Sequence, residues 1–182
     1  AKNWKIYKHN KAWSRNPVFS ESRVKDMVKQ GVKRLTNMQL SDGGWGWFSG
    51  WGERSYAHTT AYTVHGLQTA QENDVAIVPG VVKRGMAWLG NYQAQQIRLL
   101  DNAPTKTRPY KTSASNLDAF VFMVLNDGKV KNQQMLDYLY RDRKNLSVYA
   151  KAMFGMALHK VGDKEKLTMV IKNIEQYLVM DK

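Results

Sequence analysis

The stretch Met38-Gln39-Leu40-Ser41-Asp42-Gly43-Gly44-Trp45-Gly46-Trp47-Phe48-Ser49-Gly50-Trp51 limits the fold more tightly than any other part of the chain. Apolar residues at three- and four-residue spacing run into it (Val24, Met27, Val28, Gly31, Leu35, Met38) and out of it (Ala61, Val64, His65, Leu67, Ala70). That spacing is the period of an amphipathic helix on either side. Between them Asp-Gly-Gly accepts positive φ at little steric cost, so the backbone can reverse sharply. The incoming helix leaves carbonyls unpaired at its end, and an indole N–H is a donor able to meet one of them. The stretch therefore predicts two antiparallel helices stapled at one end, with a tryptophan on either side of Gly46 folding back over the helix ends. It speaks to architecture rather than to chemistry.

The remaining chain extends the same pattern. Ser20-Glu21-Ser22 offers an N-cap to the first helix. Pro79 suits a helix's first turn, and a helix is predicted over about 80–99 through Val81, Val82, Gly85, Trp88, Leu89 and Tyr92. Residues 100–113, with two prolines and several hydroxyl residues, read as the one long loop. A buried helix follows from Asn116 to Leu125, apolar nearly all round. Then come an amphipathic helix from Asn132 to about Arg143, a buried one from Leu146 to Val161 that Gly162 can end, and a last one from Lys164 to Met180. Seven helices and no strand result. Residues 1–20, with Trp4, Ile6, Tyr7 and Trp13 among lysines, have no sustained period and read as an irregular basic arm before an all-α domain at 21–182.

An internal repeat supports that reading. Gly31 to Gln39 (Gly-x-x-x-Leu-x-Asn-x-Gln) aligns with Gly85 to Gln93 at an offset of 54 residues, and the helices that follow match more loosely. More polar helices alternate with more buried ones, the pattern of stacked helical hairpins with outer and inner members.

Composition excludes several function classes. Without cysteine, the 182 residues hold no disulfide, thiolate metal site or cysteine nucleophile. No apolar run approaches the roughly 18 residues of a membrane span, so no membrane insertion is expected within the chain. The net charge is +13, and residues 1–34 hold ten Lys/Arg against Glu21 and Asp26. Clustered cations suit phosphate partners, but no nucleic-acid-binding signature accompanies them, and no nucleic-acid partner is expected.

Few residues suggest chemistry. Trp45, Trp47, Phe48, Trp51 and Tyr56, with His58 beside them, are the candidate binding group: a stacking platform for sugar rings or a hydrophobic ligand, against the plainer role of closing a hairpin. His58 and His65 are seven apart, not the i, i+4 spacing of a helical metal pair; His58 suits a backbone bond at the helix start, and His65 a satisfied core position. Asp118 is the one carboxylate in 113–126 and calls for a partner among Arg98, Arg108 and Lys111. Tyr140-Arg141-Asp142-Arg143-Lys144 reads as a charged helix end and turn. No nucleophile elbow, phosphate loop or dinucleotide glycine pattern occurs. Neither a catalytic residue nor a metal or cofactor is expected.

Two families share these motifs. Gln39 with Asp42-Gly43-Gly44-Trp45-Gly46 resembles the glutamine–tryptophan repeats of squalene–hopene cyclases and related α/α-toroid enzymes. The catalytic Asp-x-Asp-Asp motif of those cyclases is missing, as are the zinc ligands of the protein prenyltransferases, so that resemblance concerns the fold. A closer one is to the thioester-containing domain of the α2-macroglobulin/complement family, above all the bacterial α2-macroglobulin-like proteins. The order Met38-Gln39…Asp42-Gly43-Gly44-Trp45-Gly46-Trp47, Tyr56…Thr59-Thr60-Ala61-Tyr62…Gly66-Leu67, Lys83 to Leu89, then Leu146 to Ala150 and Gly155 to Leu158 is similar to that family over roughly 18–162.

The resemblance implies a partial α/α-toroid and a non-catalytic part of a secreted or periplasmic protease-trapping protein. Its partners would be the parent's other domains and, through the parent, a target protease. The family's Cys-x-x-Gln thioester would lie before Ala1, or the parent would lack it. Complement proteins activate the bond with a His in the loop matching 100–113, which here has none; direct attack by lysine amines is expected instead. A partial toroid would expose an inner-helix face around Phe120, Phe122, Met153 or Phe154 and so invite a dimer. The alternative is an α/α-toroid enzyme or binding module of the terpenoid cyclase type, using the aromatic loop as a ligand site.

Overall fold

A computed structural model describes residues 20–48 and 52–177. The basic arm expected at 1–20 (all but its last residue), the loop residues 49–51 with Trp51, and residues 178–182 therefore lie outside the described residues. The described chain forms seven α-helices and no strand: α1 (Glu21–Asn37), α2 (Ala57–Glu72), α3 (Val81–Asp101), α4 (Asn116–Asp127), α5 (Gln133–Arg141), α6 (Val148–Val161) and α7 (Lys164–Glu175), with a 3₁₀ turn at Arg143–Asn145.

Burial sorts the helices into two sets. Every residue of α4 from Asp118 to Asn126 is buried, α6 buries seven of its 14 residues and α2 six of its 16, whereas α3 spreads six over 21. By contrast α1 buries Val32 alone and α7 Val170 alone. Inner helices α2, α4 and α6 therefore alternate with outer helices α1, α3, α5 and α7. Side-chain pairs fix the directions. His58 and His65 of α2 meet Phe120 of α4, and Gln68 reaches the Val124 carbonyl, so α2 and α4 run parallel. Asn116 meets Ser147, Phe122 meets Phe154, and Asp127 meets Lys160, so α4 and α6 are parallel as well. This alternation of parallel inner helices with outer ones is the α/α-toroid arrangement.

The helix starts follow the sequence rules. The Ser115 hydroxyl accepts from the Asp118 amide, while the Asp118 carboxylate accepts from the Ser115 amide, a capping box. Asn132, Ser147 and Asp163 cap α5, α6 and α7 in the same way. Gly162 ends α6 at φ +87, a left-handed conformation that glycine adopts without strain. Ser20 departs from expectation: its hydroxyl pairs with Ser22 at 3.2 Å instead of capping α1. Pro79, expected in the first turn of α3, lies just before it: Gly80 is the N-cap, and the helix runs on to Asp101, which shortens the long loop.

The repeat places Gly31 and Gly85 on outer helices α1 and α3, each followed by an inner helix. Its second copy is longer: Gln39 lies beyond the end of α1, whereas Gln93 is buried within α3. Close approach explains Gly85. A Cβ there would stand 2.6 Å from Val64 Cγ2 and 2.8 Å from Trp45 Cζ3.

One expectation is overturned. Phe120, Phe122, Met153 and Phe154 are 6, 1, 7 and 0% exposed, so the inner-helix face expected to be bare is covered. The two histidines of α2 sit against Phe120, and Phe122 and Phe154 close on each other between α4 and α6. The exposed large apolar residues of the inner helices are instead Tyr62, Val148, Tyr149 and Met156. The argument for a dimer through those phenylalanines loses its basis.

Candidate functional site

The aromatic loop is built around three groups. Trp45, 2% exposed, turns inward and donates its indole N–H to the Leu35 carbonyl at 2.8 Å, one of the orphan acceptors at the end of α1. Its own amide donates to Thr60 Oγ1 at 3.0 Å, and its carbonyl accepts from the Tyr56 amide at 3.0 Å, joining the loop to the start of α2. Gln39 is the second group. Its amide nitrogen donates to the carbonyls of Gly43 and Val81, both at 2.9 Å, and its oxygen accepts from Arg84 of α3. Asp42 is the third: it accepts from Ser55 Oγ (2.7 Å), the Gly44 amide (3.0 Å) and the Trp88 indole (2.9 Å). Burial works against the charge of Asp42, but these donors outweigh it and hold the carboxyl below its usual range.

The two glycines of the turn are fixed by their surroundings. Gly43 sits at φ +91 with the Arg84 carbonyl 2.9 Å from where a Cβ would stand. At Gly44 a Cβ would meet Ser55 Oγ at 2.4 Å.

The other expected site residues divide. Trp47 and Phe48 face solvent, at 61% and 76% exposure, so only one of the two tryptophans flanking Gly46 folds back. Trp47 meets Tyr56 edge-on at 6.2 Å, and the Phe48 amide donates to Glu53. His58 is exposed and stacks on Tyr62, with no backbone bond among those found. His65 is not the satisfied core residue expected: its side chain is partly exposed, Nδ1 lies 3.7 Å from Asp127, and that nitrogen makes no hydrogen bond.

What the structure brings together beside the loop is an open cleft of about 630 Å³ between the loop end and α3. Tyr56 stands on one side, with Arg54 over its ring at 5.0 Å and bonded to its hydroxyl at 2.9 Å. Trp88 and Tyr92 form the other, their rings nearly parallel at 6.2 Å. Asn91 and Gln95 lie on the same face of α3. Sequence reading took Trp88 and Tyr92 for core residues of an apolar stripe. The signal that finds the cleft is Trp-x-x-Asn-Tyr-x-x-Gln, aromatics and carboxamides sharing one helix face.

Tyr92 links the cleft to a second cluster. Burial and, secondly, the charge of Asp118 push its phenol up to about 12. Asp118 is buried at the start of α4 and takes Lys111 as partner, together with the Ser115 amide (2.6 Å) and hydroxyl (2.9 Å). Lys111 also donates to Gln96 at 3.1 Å. Asp118 thus orders the 100–113 loop against α4 through Oδ2, while its buried Oδ1 makes no hydrogen bond. Asp142 does similar work: burial disfavours its charge, but Arg141 and the Ala114 amide outweigh that and keep the carboxyl low. It sits where the charged helix end and turn were expected. Among the described residues no three His, Asp or Glu converge as metal ligands, and no helix is long and apolar enough to cross a membrane.

Comparison with known proteins agrees with this architecture. A family model described as the A-macroglobulin TED domain matches residues 5–181. An alpha-2-macroglobulin from Thermotoga maritima is 29% identical over 130 residues, 70% of this chain and 8% of that protein. The crystal structure of native alpha-2-macroglobulin from Escherichia coli, spanning domain MG7 to the C-terminus, superposes with a TM-score of 0.60 over 93% of this chain at 21% identity. This chain spans 27% of that one, so both relatives are far longer. With the match running nearly end to end and the helices in toroid order, the chain belongs to the A-macroglobulin TED domain family.

Proposed function

We propose that this domain is a non-catalytic part of an α2-macroglobulin-like protein that traps proteases in envelope defence, in the periplasm or outside the cell. Membership of the TED family supports the reading. The observation that carries the non-catalytic half is the state of the carboxylates. Asp42 and Asp142 are held on both oxygens by structural donors, and Asp118, fully buried, is tied through Oδ2 to Lys111 and Ser115, whereas acid–base catalysis needs a titratable group free to meet a substrate. In this reading the domain shields and positions a thioester carried elsewhere in the parent protein, since the 182 residues hold no cysteine. With no histidine in 100–113, lysine amines of the trapped protein attack that bond directly.

The test is the intact mass of the parent protein before and after methylamine, followed by analysis of conjugates formed with a protease. We expect a gain of one amine adduct and conjugates that resist hydroxylamine, as amides do. Conjugates released by hydroxylamine would be esters and would refute direct amine attack. A parent that neither gains mass nor inhibits any protease would refute the trapping role.

A further inference from the structure

We infer that the cleft between the loop end and α3 is a binding site for a neutral oligosaccharide. This goes beyond protease trapping and does not depend on it. The cleft's volume of about 630 Å³ is within the range of about 300–1,000 Å³ typical of small-molecule sites. One wall is the pair of rings of Trp88 and Tyr92, flat apolar surfaces of the kind that pack against the C–H face of a pyranose ring, and opposite them stands Tyr56 with Arg54 over its ring. On the same face of α3, Asn91 and Gln95 present exposed carboxamides, each able both to donate and to accept.

Charge and polarity narrow the ligand class. Asp42 and Arg54 place one carboxylate and one guanidinium at the rim, so the cleft has no excess of either sign. A phosphate or polyanion would face the Asp42 carboxylate. A purely apolar ligand would bury the Asn91 and Gln95 carboxamides without partners, at the full desolvation cost of each. A polyhydroxylated, uncharged ligand satisfies both constraints, and an open cleft suits a run of rings rather than one enclosed sugar.

Trp88 reports on the site directly, because its indole N–H is bonded to Asp42 at the cleft edge. The experiment titrates the ¹⁵N-labelled full chain with maltohexaose, cellohexaose and chitohexaose, following the indole N–H resonances; Trp88→Phe assigns the relevant one. The expected result is a saturable shift of the Trp88 indole with at least one sugar, while that of buried Trp45 stays in place. Asn91→Ala and Gln95→Ala, both at exposed positions that leave the fold intact, should each weaken binding about tenfold, the scale of losing a well-placed contact. Circular dichroism of both variants checks the fold. No saturable shift up to about 10 mM, tenfold above the ~1 mM dissociation constant of a weak site, would overturn the inference. So would sugar binding that neither variant changes, or a Trp88 shift given by inorganic phosphate or an apolar peptide and by none of the sugars.

Discussion

Replacing Trp45 by phenylalanine tests whether the indole is the staple of the first hairpin. The side chain is buried against Val64 and Gly85, and its N–H meets the Leu35 carbonyl at 2.8 Å. Two losses follow. The carbonyl at the end of α1 is left without its donor, worth about 1–3 kcal/mol for a buried group. The smaller ring also leaves a void; complete Trp→Ala truncation costs about 3–5 kcal/mol, and retaining a benzene ring saves the larger part of that. Together these give a loss of roughly 2–4 kcal/mol, or a Tm lowered by about 4–16 °C in a domain of this size. Trp47→Phe is the internal control, because that side chain is largely in solvent and surface changes of this kind stay within about 0.5 kcal/mol. Urea denaturation followed by far-UV circular dichroism measures both without relying on tryptophan emission. Equal stability of the two variants, or a Trp45→Phe protein within about 0.5 kcal/mol of the original, would refute the staple.

Two further perturbations probe the carboxylates. Lys111→Met leaves buried Asp118 without its counter-ion and should cost about 3–5 kcal/mol, with the double variant Lys111→Met/Asp118→Asn recovering much of it; a double variant no better than the single would show that the charge is not the cause. Asp42→Asn should destabilise at neutral pH, since the Gly44 amide and Trp88 indole lose a charged acceptor. Because the folded Asp42 carboxyl titrates below its unfolded value, near 3.9, its contribution is complete above about pH 4 and disappears as the pH falls through the folded value. The stability gap between the original and Asp42→Asn should therefore hold from pH 7 to 5 and shrink in acid, as chemical denaturation across that range would show. A gap constant into strong acid would contradict this assignment.

The helical hairpins were legible because they depend on local information: apolar spacing, capping residues and glycines at turns. The Trp45 bond was legible for the same kind of reason, since every helix end has carbonyls to satisfy and an indole lay nearby. The partners of Gln39 and Asp42 were not. Arg84 and Trp88 lie some 45 residues further on, and which residues of α3 come to rest beside the turn is decided by packing at Gly85. Asp118 was correctly given a short set of candidates, from which the loop geometry selects Lys111. Phe120 and Phe122 misled for a related reason. Their apolar character was clear, but their cover comes from histidines two helices earlier and a phenylalanine two helices later, and periodicity carries no record of either. The cleft was hidden inside a pattern that reads equally as core.

The alternation of outer and inner helices also has a kinetic meaning. Each substantial helix pairing joins elements no more than two steps apart along the chain: α1 with α2, α2 with α3 and α4, α3 with α4 and α5, α4 with α5 and α6, α6 with α7. Few long loops must close before native contacts begin to form, and such low-contact-order topologies fold fast for their size. In that order of assembly α4 is the bottleneck, because it touches four other helices and, apart from the smaller α3–α5 pairing, carries the contacts between the two halves of the domain.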